Sequence, residues 1–208
     1  LVQDLVDLPL EFGIFYARIP SQPAGKITSV VMKEMLFVMG DGRSTLRQLI
    51  LKKDRAKLKW ESLKVKYHDR LEEILPAGKK LELVSIGNHA LGTKFLDGTH
   101  LINERLSATF DAISKQIEGF YFGRFDLRCA SIEDLYKGSV KIVELNGCGA
   151  EPAHIYDPDF SLLKAVGVLF THWHNIFVIA RENHRQGVNY TPLKEGLRLY
   201  KKFKAATQ

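Results

Sequence analysis

The chain has 208 residues, 45% of them hydrophobic and 26% charged, an ordinary globular composition with enough length for one good core or two small ones. No signal peptide and no uninterrupted apolar run of about 20 residues stands out, so a soluble, cytoplasmic protein with no membrane partner is expected. The net charge of +6 is local: 12 Lys and Arg face 5 Asp and Glu between Arg43 and Lys80, in a helical stretch with few aromatics, which speaks against a nucleic-acid partner.

Leu1-Val2-Gln3-Asp4-Leu5 opens without an initiator Met and runs straight into a predicted strand, Phe12-Gly13-Ile14-Phe15-Tyr16, so a piece of a longer chain is expected. Lys26 to Glu34 is rich in β-branched residues and follows a turn-forming Ser21–Gly25, which predicts an antiparallel pair. After Gly40-Asp41-Gly42, Ser44-Thr45 offers a hydroxyl cap to a basic helical region that Pro76-Ala77-Gly78 ends. Leu81 to Ile86 alternates as a half-buried strand, and a glycine-bearing loop, Gly87 to Gly98, follows with His89 and Lys94 in it.

Leu106, Phe110, Ile113 and Ile117 predict a helix over about 103–118 that packs on a sheet. Phe120 to Leu127 and Val140 to Leu145 predict a hairpin-like strand pair. The last long helix, from about Ser161 into Asn183, carries Leu162, Val166, Leu169, Trp173, Phe177 and Ala180 on one stripe and is expected at the centre of the core. The fold class is therefore α+β, one unit with an antiparallel sheet on one side of its helices. Cys129 and Cys148 form no CxxC pair and are expected as free thiols.

Asp126 ends one of the paired strands, and Glu144-Leu145-Asn146 ends the other. A period of two puts Glu144 and Asn146 on one face, so three oxygen donors converge if the strands are neighbours. Such donors suit Mg²⁺ or Mn²⁺, hard cations held by a few carboxylates and nucleotide phosphates. The plainer reading pairs Asp126 with Arg124 or Arg128 and makes Asn146-Gly147 a turn. His172 and His174 are two positions apart in the last helix and form no single metal site. Cys148 reads as a small turn residue without a neighbouring base.

Gly123-Arg124-Phe125-Asp126 and Glu144-Leu145-Asn146-Gly147-Cys148-Gly149 resemble the G-R-x-D and E-x-N-x-x-x-G signatures of ATP-grasp ligases, in particular the D-alanine-D-alanine ligase branch. Pro9-Leu10-Glu11-Phe12 is similar to the family's P-x-E-F, and Thr93-Lys94-Phe95-Leu96 with Thr99 to its A-K-Y-L loop. Val38 to Thr45 resembles the V-x-G-D-G-K-x-T stretch of cyanophycin synthetase-like members. The resemblance implies ATP and Mg²⁺ as cofactors, with Asp126, Glu144 and Asn146 as metal ligands and Arg124 on the phosphoryl group in flight. It implies Lys94 on the γ-phosphate, Glu11 on the ribose, Gln3 and Leu5 in a hinge at the adenine, and the Gly149 amide facing an acyl phosphate.

The residues after Asn146 depart from the D-alanine enzymes, so Gly149, Glu151 and His154, with His89, are the candidates for contact with a small-molecule carboxylate or amine. The family's preceding substrate domain and lysine-bearing subdomain have no counterpart here, which implies that residues 1–208 are a carboxy-terminal part, able to form oligomers but not certain to turn over alone. A ligase proceeding through an acyl phosphate is the expected function. A nucleotide-binding regulatory module and a kinase-like phosphotransferase are the alternatives.

Overall fold

The computed structural model describes residues 4–84, 87 and 91–206. Its frame is a five-stranded antiparallel sheet in the order β5-β2-β1-β6-β7, built from β1 (Leu10–Ala17), β2 (Lys26–Glu34), β5 (Lys94–Asp97), β6 (Phe122–Cys129) and β7 (Lys141–Asn146). The expected β1–β2 and β6–β7 pairs are both present. β1 lies at the centre, and its alternation sends Phe12, Ile14 and Tyr16 to one face and Phe15 and Ala17 to the other, all buried.

Each face carries helices, so the sheet is a middle layer rather than one side of a two-layer stack. On the first face, α4 (Glu104–Ser114) and α5 (Ile132–Lys137) pack Leu106, Phe110 and Leu135 onto Phe12, Ile14 and Phe125. Both helices start where a polar side chain accepts an orphan backbone N–H: Asn103 from Leu106 at 2.8 Å and Ser131 from Asp134 at 3.1 Å. Gly138 ends α5 at φ 74°, a left-handed cap that a side chain would strain.

On the second face, α6 (Leu162–Arg185) lies over Phe15, Ala17 and Phe122 through Ile179. The stripe expected in the core is not there: Leu162, Trp173 and Phe177 are at least 60% exposed, while Ala165, His172 and Ile179, spaced by seven, face inward. The aromatic rings of Phe15 and Phe122 leave room for a small residue and a flat imidazole, and the helix turns that narrower face to them. By length and apolar content α6 also reaches what a bilayer span needs. The sequence criterion overlooked it because His172, His174 and Asn175 interrupt the run. The last helix, α7 (Leu193–Ala206), buries no residue.

Between β2 and β5 the chain builds a second, smaller core. The antiparallel partners β3 (Phe37–Met39) and β4 (Lys80–Glu82) flank in sequence α1 (Leu46–Lys52), α2 (Asp54–Lys57) and α3 (Trp60–Lys66), which bury Leu46, Ile50, Ala56 and Leu63 together with Leu75 and Leu83. Thr45 opens α1 with a capping box shared with Gln48. The basic region is thus several short helices with their own apolar centre. β5 falls inside the stretch expected to be a loop, because a four-residue edge strand of mixed polarity has no clear period.

Candidate functional site

The second face of the sheet, beyond the end of α6, carries a dense charged cluster. In β1 the side chain of Glu11 and the open position of Gly13 fall on this face. Lys33 from β2 and Arg124, Asp126 and Arg128 from β6 join them, and Glu144 and Asn146 follow from β7. The register fixes the neighbours: Glu11 stands opposite both Lys33 and Arg128, Gly13 opposite Asp126, and Asp126 opposite Glu144. A register shift just after Asp126 leaves Val143 unpaired at the level of this contact.

Asp126 is 5% exposed and fully engaged. Its two oxygens accept from Arg124 at 3.1 and 2.9 Å, from Asn146 Nδ2 at 3.0 Å, and one lies 3.3 Å from Lys33 Nζ. Glu11 is held by Lys33 at 2.9 Å and by Arg128 at 2.9 and 2.8 Å, and Arg128 also donates to the Val6 carbonyl. A buried and a half-buried carboxylate therefore share three cations, with Lys33 bridging them. Isolated buried charges are expensive, and this mutual pairing compensates both acids inside the fold.

Two glycines make the packing possible. A Cβ on Gly13 would come within 2.7 Å of Val31 and 3.0 Å of Asp126 Oδ1, so Asp126 rests on bare backbone. A Cβ on Gly87 would overlap Glu11 Oε1, which shows the Gly87 backbone lying directly over the Glu11–Lys33 pair.

The structure brings Arg124, Asp126, Asn146 and Glu11 into one cluster and sets Glu144 beside them, exposed and with no side-chain hydrogen bond among the described residues. Asp126 takes the plainer pairing with Arg124, and Arg128 goes to Glu11 instead. Lys94 starts β5 opposite Glu34, one position out of phase with Lys33 and its neighbour Phe95. The lysine at Asp126 is Lys33, which sequence reading missed. The signal available was its parity with Val31 and Ser29 in a strand adjacent to Glu11.

Leu5 is 83% exposed in the extended start of the chain, while Gln3 and His89 lie outside the described residues. Gly149 and the free, exposed Cys148 belong to the turn after β7. Glu151 closes that turn: its carbonyl accepts from Arg124 Nη1 at 3.0 Å, and its carboxylate accepts from the Tyr156 hydroxyl. His154 is 4% exposed, with Nδ1 2.6 Å from Ser29 Oγ and its ring edge-on to Phe160. That position is a buried anchor, set by the short 3-10 turn Ala153–Tyr156 tucking the ring against β2. Burial pushes the His154 imidazole below its usual range, and likewise lowers His172 to about 4 with the nearby His154 adding to it.

Among the described residues no group of three or more His, Cys, Asp and Glu converges as a metal site. The chemistry of the donor set on this face nevertheless fits a hard cation: a carboxylate from Asp126, a second from Glu144 directly across, and the amide of Asn146 on the same face. Arg124 and Lys33 hold the place of positive charge at Asp126 in this arrangement.

No family model and no curated protein matches the chain. Among solved structures it is similar to a bifunctional glutathione synthetase from Pasteurella multocida, at a TM-score of 0.47 and 17% identity over 80% of this chain. The chain spans 24% of that structure's length. A likeness at this level leaves function to the chemistry of the site itself.

Proposed function

We propose that this chain is the carboxy-terminal part of an ATP- and Mg²⁺-dependent ATP-grasp ligase that activates a carboxylate as an acyl phosphate and joins it to an amine or a thiol. The observation that carries the reading is the β6–β7 register, which sets Asp126, Glu144 and Asn146 on one face with Arg124 two residues from Asp126. Asp126, Glu144 and Asn146 would hold the cation, which supplies neutralisation of phosphate charge when bound. Arg124 and Lys33 are the chain's own donors for phosphoryl oxygens, and both are already held at fixed positions, as stabilisation of developing charge requires. Arg128 holds Glu11 at the strand end where a ribose hydroxyl would be received.

The test replaces Asp126 or Glu144 by Ala and follows Mg-ATP binding by calorimetry and ADP release over a panel of acids, with hydroxylamine to trap an acyl phosphate as hydroxamate. Loss of binding and of trapped product is the expected outcome, and unchanged binding and turnover would sink the assignment. The complete pairing of Asp126 and Glu11 by protein cations favours a second reading, a nucleotide-binding module without ligation. Mg-ATP raising the melting temperature with no ADP release from any acid would decide for it. A stable phosphoester in place of a hydroxamate would mark a kinase-like enzyme.

A further inference from the structure

At the end of β1 remote from the charged cluster, the chain turns through Arg18 to Gly25 before entering β2, and α6 runs beside the turn. Between them lies a cavity of about 190 Å³ lined by Ala17, Arg18, Gln22, Lys26, Asn175 and Ile179, among others. The lining carries two cations and two amides but no carboxylate. The nearest acid, Asp111, is committed elsewhere: it accepts from the Tyr16 hydroxyl at 2.7 Å, the Gly25 amide at 2.8 Å and Lys115.

Arg18 is fixed in place. Its backbone N–H donates to the Tyr121 carbonyl at 2.8 Å, and its guanidinium lies 4.6 Å from the Tyr121 ring centre. Its Nε is buried with no hydrogen-bond partner among the described residues. Buried donors without acceptors are few in folded proteins, and each calls for an explanation. The guanidinium also meets the Tyr16 hydroxyl, so it is fixed from two sides, and its terminal N–H groups at the cavity suit the paired oxygens of a carboxylate or phosphate.

We propose that this cavity is a binding site for a small oxyanion, a carboxylate or a phosphate group. Arg18 receives the paired oxygens, Lys26 adds charge, and the Gln22 and Asn175 amides orient the rest of the molecule. The site is separate from the charged cluster: Ala17 stands four residues along β1 from Gly13, the partner of Asp126, about 13 Å at strand rise. It does not depend on the ligase reading.

The test titrates the chain with inorganic phosphate and, separately, with acetate and succinate, at ionic strength held constant with chloride. Calorimetry and the melting temperature are the readouts. A saturable rise in melting temperature that follows ligand concentration as a single site is expected. Arg18→Gln is expected to weaken it at least about tenfold, the loss of one charge-assisted pair. Ala24→Phe fills the mouth of the cavity and leaves Arg18 in place; it is expected to abolish the effect with an unchanged circular dichroism spectrum, and it keeps the test sound should Arg18→Gln fail to fold. Saturation by phosphate alone identifies a phosphate ligand, and saturation by the acids alone a carboxylate. A response that chloride reproduces, or that both variants retain, overturns the proposal.

Discussion

Lys33 and Asp126 show how much of the site lies in individual side chains. Asp126 is the only carboxylate shared by Arg124 and Lys33 among the described residues, so Asp126→Asn leaves two partly buried cations facing a neutral amide. A loss of about 3 kcal/mol is expected in urea denaturation, the scale of breaking a buried pair from one side. Lys33→Met leaves each acid its own arginine, and a loss of about 1 kcal/mol is expected. The reverse order would show that Lys33 and not Asp126 is the keystone of the cluster. That Asp126, Glu144 and Asn146 would share one face was legible because a period of two is a property of the sequence. Lys33 was not, because which strand lies beside Glu11 on the other side is decided only when the sheet assembles.

Among the elements, β7 is placed by contact with bare backbone. A Cβ on Gly123 would overlap the Asn146 carbonyl and come within 2.7 Å of the Phe120 ring. Gly123→Ala is expected to cost about 2 kcal/mol through overpacking and to raise amide hydrogen exchange in β7 selectively. Uniform loss of protection across the sheet would refute a local effect. The helix α6 carries a pH dependence. His172, wedged against Phe15 at 4.6 Å with Nδ1 lacking a hydrogen bond among the described residues, is held neutral down to about pH 4 in the fold but protonates near 6.5 when unfolded. The folded pKa is the lower one, so the unfolded chain takes up the proton first. Stability is complete above about pH 6.5 and falls by about 3 kcal/mol towards pH 4, and His172→Leu is expected to flatten that part of the profile. A variant with the same slope as the parent would clear His172 of the role. Which face α6 buries could not be read from its apolar stripe. The sheet beneath it accepts an alanine and a flat ring, a steric demand made by Phe15 and Phe122 rather than by hydrophobicity.

At the level of the whole molecule the described apolar side chains gather on the two faces of the sheet and, apart from them, in the stretch from Leu36 to Leu83. The sequence showed a basic helical region there but not its separate core, because Ile50, Leu63 and Leu75 meet through turns whose angles no period encodes. Ile50→Ala is expected to cost about 3 kcal/mol and to speed hydrogen exchange in residues 36–83 well before the central strands. Equal loss in both regions would mean a single cooperative unit. The β1–β6 pairing has a further consequence, for the order of events in folding. Glu11 reaches Arg128 across a sequence separation of 117, while the small core closes on itself within one compact stretch of chain. Closing the longer loop loses more chain entropy, and non-local strand pairing is slow. Trp60, packed on the small core, should therefore change its fluorescence in stopped-flow refolding before the sheet amides gain protection. The complete charged cluster is then among the last features the chain acquires, since a ribosome must have released most of β6 before Arg124, Asp126 and Arg128 can join the Glu11–Lys33 pair.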